Sequence, residues 1–128
     1  MQMNPVGWFE IYVQDMDRAR SFYEAVLDCR LAQLPVQGGD HPGMQLWAFP
    51  MHDSGKGATG ALVHIPGCPS GSGGTIVYFS CEDCAVQLQR VLDHGGSICR
   101  EKVSIGPYGF IGLAHDTEGN MFGLHSTR

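Results

Sequence analysis

Trp8-Phe9-Glu10-Ile11-Tyr12-Val13-Gln14-Asp15 is the stretch on which the reading of this chain turns. Five of its first six residues are aromatic or β-branched, the composition of a strand, and Asp15 stands where a helix N-cap belongs. Behind it Met16, Ala19, Phe22, Tyr23, Val26 and Leu27 fall at helical spacing. About half a chain later the succession returns. Ile76-Val77-Tyr78-Phe79-Ser80-Cys81 runs to Glu82-Asp83, and Cys84, Leu88, Val91 and Leu92 follow at helical spacing until Gly95-Gly96 ends the helix. Three strand candidates come after each helix: Cys29 to Pro35, Met44 to Phe49 and Gly60 to Ile65, then Ser97 to Val103, Phe110 to His115 and Met121 to Ser126.

A repeat of this kind decides the architecture before any single motif does. The expectation is an α+β fold of two βαβββ modules, residues 6–65 and 75–126. They are joined by the Gly/Pro/Ser-rich connector 66–74 within one domain spanning 1–128, and they form a cupped, mixed eight-stranded sheet with the helices on its outer face. One helix per four strands covers one sheet face and leaves the other to enclose something else. Alternation along the first strand puts Phe9, Ile11 and Val13 on one side and Trp8, Glu10 and Tyr12 on the other. The all-apolar side belongs under the helix, so Trp8, Glu10 and Tyr12 are expected in the concavity. By the same parity Val77, Phe79 and Cys81 go under the second helix, and Ile76, Tyr78 and Ser80 face inward.

The 128 residues are 43% apolar and 16% charged, with formal net charge −5. No basic run is present to neutralise phosphates, which argues against a nucleic-acid partner. No window approaches eighteen consecutive apolar residues and the N-terminus lacks the pattern of a secretory signal, so a cytoplasmic protein with no membrane partner is expected. Five cysteines, an odd number without an export signal, are expected to be reduced thiols.

Together with the repeat, two segments carry a family resemblance: the strand, Asp15, then Arg18-Ala19-Arg20-Ser21-Phe22-Tyr23, and the ending Asp116-Thr117-Glu118-Gly119-Asn120 leading into Met121-Phe122-Gly123-Leu124-His125-Ser126. In this order and separation they resemble the vicinal oxygen chelate superfamily of glyoxalases, bleomycin-resistance proteins and extradiol dioxygenases. The resemblance implies a homodimer that takes a small-molecule ligand. It also implies four metal-ligand positions, typically two His and two Glu. Here these fall at Trp8, at Gly60 or Leu62, at Ile76 and at Gly123. Indole, alkyl and glycine side chains offer no lone pair to a divalent cation, so no cofactor is expected at the usual site.

Glu10, two residues past the first of these positions and expected in the same hollow, is the candidate catalytic acid or base; a Glu satisfied by tyrosine hydroxyls and water is the plainer alternative. If Gly60 faces inward so does His64, and if Gly123 does so does His125. Glu10, His64 and His125 would then suffice chemically for a displaced divalent metal, against the plainer reading that both histidines bond to backbone at strand ends. Trp8, Tyr12, Trp47 and Tyr78 are candidate aromatic walls for a ligand, with sheet packing an equal alternative for Trp47. Cys81-Glu82-Asp83-Cys84 has the spacing of a redox pair, but its acidic interior raises thiol pKa where reactivity needs it lowered. The favoured function is binding of a small organic molecule in the cup. The alternatives are a lyase- or isomerase-like enzyme acting on a carbonyl substrate, and a drug-sequestering protein whose anionic surface suits a cation.

Overall fold

The two aspartates singled out above start the helices. In the computed structural model, which describes residues 4–36 and 42–128, Asp15 accepts from the Arg18 N–H at 3.0 Å and Asp83 from the Ala85 N–H at 3.0 Å. Residues 1–3, and residues 37–41 within the first expected module, lie outside the described residues. Helix α1 runs Met16–Leu27 and α2 runs Cys84–Asp93. The strands are β1 Val6–Tyr12, β2 Ala32–Leu34, β3 Gln45–Ala48, β4 Thr59–His64, β5 Thr75–Ser80, β6 Ser97–Ser104, β7 Phe110–His115 and β8 Met121–Ser126. The element order is the expected βαβββ twice over, with both parallel and antiparallel pairing. Among the described residues no helix is long and apolar enough to cross a membrane.

The chain divides into two compact units: residues 8–75, and residues 76–128 together with residues 4–7. Residues 4–7 thus belong with the second half, where the Pro5 carbonyl accepts from the Ser80 N–H at 2.9 Å. Within residues 8–75 the strand order is β2-β3-β4-β1. Here β1 and β4 are parallel, with Phe9 opposite Gly60 and Ile11 opposite Leu62, while β3 runs antiparallel to both β2 and β4. The second unit has the order β5-β8-β7-β6, with β5 and β8 parallel and the remaining pairs antiparallel.

Each helix closes a core against its own strands. Met16, Leu31, Phe49 and Leu62 form the buried centre of the first, with Phe9, Ile11, Val13, Ala19 and Tyr23 packed against it. Tyr23 meets Phe49 edge-on with ring centroids 5.8 Å apart. Cys84, Leu88, Ala114 and Leu124 form the second, flanked by Phe79, Cys81, Val91 and Phe122. The parity expected for β1 and β5 is therefore the one observed. The helical stripes are narrower than their spacing suggested: Phe22, Val26 and Leu27 are 58%, 61% and 56% exposed, and Leu92 is 49% exposed. Twelve helical residues lying on a sheet bury one stripe, and apolar residues beside it remain in solvent.

The Asp116-to-Asn120 turn explains its own sequence. Asp116 Oδ1 accepts from the N–H groups of Glu118 and Asn120, at 2.8 and 2.9 Å, and Oδ2 accepts from Asn120 Nδ2 at 3.1 Å. Gly119 takes φ 83°, a left-handed conformation that favours glycine. These bonds, the Asn120 backbone N–H foremost, hold the Asp116 carboxyl below the usual carboxylate range. A depressed folded-state pKa stabilises the fold above the unfolded value, and that stability is lost as pH falls through the folded value. Urea titrations across this range should show Asp116→Ala less stable than the unaltered chain at pH 7, and the gap closing below about pH 4. An equal gap at pH 7 and pH 3 would mean the carboxylate does not hold the turn.

Candidate functional site

On β1 the face turned from α1 carries Trp8, Glu10 and Tyr12. Trp8 and Glu10 are half-buried, and the Trp8 indole Nε1 donates to Glu10 Oε2 at 3.2 Å, so the two expected neighbours do share one side. An indole N–H aimed at a carboxylate fixes the direction of both side chains. Tyr12 follows on the same parity, and its backbone N–H donates to the Gly74 carbonyl at 2.7 Å.

The expectation fails on β4. Because Phe9 opposes Gly60 and Ile11 opposes Leu62, both Gly60 and Leu62 stand under α1, and a Cβ added at Gly60 would meet Phe9 Cγ at 2.7 Å. The residues sharing the Trp8–Glu10 side are Thr59, Ala61 and Val63. His64 is on the α1 side by the same parity, and its Nδ1 donates to the Val13 carbonyl at 2.9 Å. Trp47 moves with it. Its partner across the β3–β4 ladder is Leu62, and the Arg20 guanidinium carbon lies 3.5 Å from the Trp47 ring centroid. Trp47 is therefore packing for α1, held by a cation above an aromatic face, and neither it nor His64 lines the Glu10 side. Two hollows in this unit also lie against α1. One, of 340 Å³, is lined by Phe9, Ile11, Tyr23, Cys29 and Phe49 among others; the second, of 520 Å³, opens at the end of β1 beside Arg18 and Ser70.

In the second unit Tyr78 opposes Gly123 and Ser80 opposes His125, all on the face turned from α2. Tyr78 is 4% exposed and its ring lies directly over Gly123, where a side chain would collide with it. His125 shares the face as expected, and its Nε2 donates to the Tyr108 carbonyl. A cation passed over in the sequence, Arg100, also comes to this side because it opposes Leu113, which opposes Gly123. The signal was present as a broken alternation: Ile98 and Val103, both apolar, are separated by an odd number of positions.

These placements bear on the two sets of metal-ligand positions named above. The usual positions hold Trp8, Ile76, Gly123 and, after correction of the register, Thr59 or Ala61, none a customary ligand. The displaced set of Glu10, His64 and His125 fails as well, since Glu10 and His64 are on opposite sides of their sheet. Among the described residues no three His, Cys, Asp or Glu side chains gather to hold a metal ion.

The mixed βαβββ repeat, with a helix on one face of each half, defines the class, and sequence comparison agrees. The chain matches the Glyoxalase/Bleomycin resistance protein/Dioxygenase superfamily over residues 6–124, and it belongs to that superfamily. It is 31% identical over 99 residues to "Anthracycline biosynthesis protein DauV" of Streptomyces sp. (strain C5), a match covering 77% of this chain. The chain spans 33% of that relative's length. Among solved structures it is similar to methylmalonyl-CoA epimerase from Mycobacterium tuberculosis, at TM-score 0.68 and 17% identity over 97% of this chain and 88% of that one. It is also similar to a variant of Streptomyces coelicolor methylmalonyl-CoA epimerase in complex with 2-nitronate-propionyl-CoA, at TM-score 0.66 and 17% identity over 98% and 96% of the two chains. At such identities the structural likeness concerns the fold.

The Cys81–Cys84 pair has a structural account. Cys84 has no exposed surface and is part of the α2 core, and Cys81 donates to the His125 carbonyl at 3.5 Å. Burial pushes the Cys81 thiol up, Cys84 and Asp83 add to the shift, and the Lys102 ammonium, 2.8 Å from Asp83, partly offsets it. Mass-mapped labelling with a thiol reagent at pH 7 should therefore modify exposed Cys99 first and Cys81 slowly, with Cys84 reacting only on unfolding. Faster labelling of Cys81 than of Cys99 would reverse this assignment.

Proposed function

We propose that this protein binds a small organic molecule on a sheet face turned from its helices, with Glu10 accepting a hydrogen bond from the ligand. The observation that carries the reading is the Trp8–Glu10 pair: a half-buried carboxylate held by an indole N–H on a face that also carries Ala61 and Val63. Trp8 and Tyr12 offer ring faces beside it, a combination suited to a flat molecule with a hydroxyl or amine. The name of the anthracycline biosynthesis relative favours a fused aromatic ring system. A cytoplasmic homodimer belongs to the same proposal.

A second reading takes Glu10 as a base on a substrate whose acidic C–H stands beside a carbonyl, favoured by the fold shared with epimerases of an acyl-CoA. It is distinguished by deuterium exchange into methylmalonyl-CoA in heavy water: the base reading requires protein-dependent exchange that Glu10→Gln abolishes.

Trp8 provides the assay for binding. The chain has two tryptophans, and Trp47→Phe leaves Trp8 as the only one, placed beside the carboxylate in question. In that background a dihydroxyanthraquinone carboxylate or its methyl ester should quench Trp8 emission saturably. Glu10→Gln should weaken binding about tenfold or more with an unchanged melting curve. Absence of saturable quenching by either compound, or equal affinity in Glu10→Gln, would remove Glu10 from the ligand.

A further inference from the structure

We infer that the 340 Å³ hollow on the α1 side of β1 is a binding site in its own right, one that takes a small uncharged aromatic molecule. It lies wholly within residues 8–75, on the opposite side of β1 from Glu10, so it neither shares nor depends on the ligand of the previous section. Its volume falls at the lower end of the range for ligand pockets, about 300–1,000 Å³, which is room for a molecule of one or two rings.

The hollow exists because α1 covers its two parallel strands unevenly. Met16, at the start of the helix, is buried in the core with Leu62, which has no exposed surface. Phe9 and Ile11 stand on the same side of the sheet, in register with Gly60 and Leu62, yet both are only half-buried. The helix stops at Leu27, where Asp28 takes a left-handed φ of 51° and the leucine side chain is left 56% exposed at the rim. Gly60 deepens the gap. Having no side chain, it lets the Phe9 ring lie over the strand, where a Cβ would meet Phe9 Cγ at 2.7 Å and lift the ring into the open space.

The walls select the occupant. Phe9, Tyr23 and Phe49 form a cluster of rings, Phe9 and Phe49 with centroids 5.5 Å apart and Tyr23 edge-on to Phe49 at 5.8 Å, and all three line the hollow. A flat guest extends such a cluster edge-to-face or offset, the arrangements that aromatic quadrupoles favour. None of the described residues lining it is charged, so an ion that entered would give up water with no countercharge to meet. The Thr59 hydroxyl is already bonded to the Phe49 and Pro50 carbonyls, at 3.4 and 3.0 Å. Apart from the Tyr23 phenol and the half-buried Cys29 thiol, itself akin to a small hydrophobe, the remaining wall is apolar. Removing the partly exposed Phe9, Ile11 and Leu27 from water supplies the driving force.

The test titrates methyl-labelled protein with indole and, separately, with indole-3-carboxylate, which adds one anion to the same ring system. Indole should shift the Ile11 and Leu27 methyl resonances along saturable curves, and the carboxylate should bind about tenfold or more weakly. Glu10→Gln should leave the indole curve unchanged, because that carboxylate is on the other side of β1. Ala58→Trp, at the exposed mouth, should weaken indole binding about tenfold or more. If it does not, Cys29→Met, which lengthens a wall side chain, decides, and affinity retained in both variants overturns the inference. Shifts that never saturate, equal affinity for the carboxylate, or a curve moved by Glu10→Gln overturn it as well. If the same methyls shift on raising protein concentration alone and indole then adds nothing, a second copy of the chain fills the hollow and the inference fails.

Discussion

The constraint on which this structure depends is the two-residue period of a pleated strand held against a helix. Leu62 has no exposed surface and sits in the core with Met16, and the parallel register then fixes Phe9 and Ile11 beside it. Glu10, between them, has one remaining direction. A slip of one residue would reverse every side chain and drive that carboxylate beneath α1, where removing it from water without a partner costs several kcal/mol. Burying one leucine contributes about 1.5–3 kcal/mol, so the charge decides the register at least as firmly as the apolar residues do.

The same two-residue period separates what was legible in the sequence from what was not. On β1 a single carboxylate among apolar residues marks its face without ambiguity, and the expected parity is the observed one. On β4, Gly60-Ala61-Leu62-Val63 offers no such mark, because a strand buried on both sides reads as a continuous apolar run. Ala61, Leu62 and Val63 all have zero exposure. Its facing was inferred from an aligned ligand position and came out reversed, and His64 went with it. Trp47 followed, since Gln45-Leu46-Trp47-Ala48 can be placed only through its pairing to β4.

Arg100 marks a different limit. Bulges arise from the mismatch between two strands, and a single strand read alone shows only a lapse in alternation. The helices were legible in the other direction: Asp15 and Asp83 cap them as the residue types require, though Phe22, Val26 and Leu27 show that helical spacing overstates the buried stripe. Both histidines of the imagined metal set donate to backbone carbonyls, the plainer of the two readings their positions allowed.

The facing of β4 against α1 is the most direct point of attack. In a nuclear Overhauser spectrum of selectively methyl-labelled protein, the Leu62 methyls should show cross-peaks to the Met16 methyl and the Tyr23 ring, and the Val63 methyls none to α1. Cross-peaks from Val63 to Met16 or Tyr23, with Leu62 silent, would mean the pleat is read one residue out, and would contradict the placement of Glu10 from which the account proceeds.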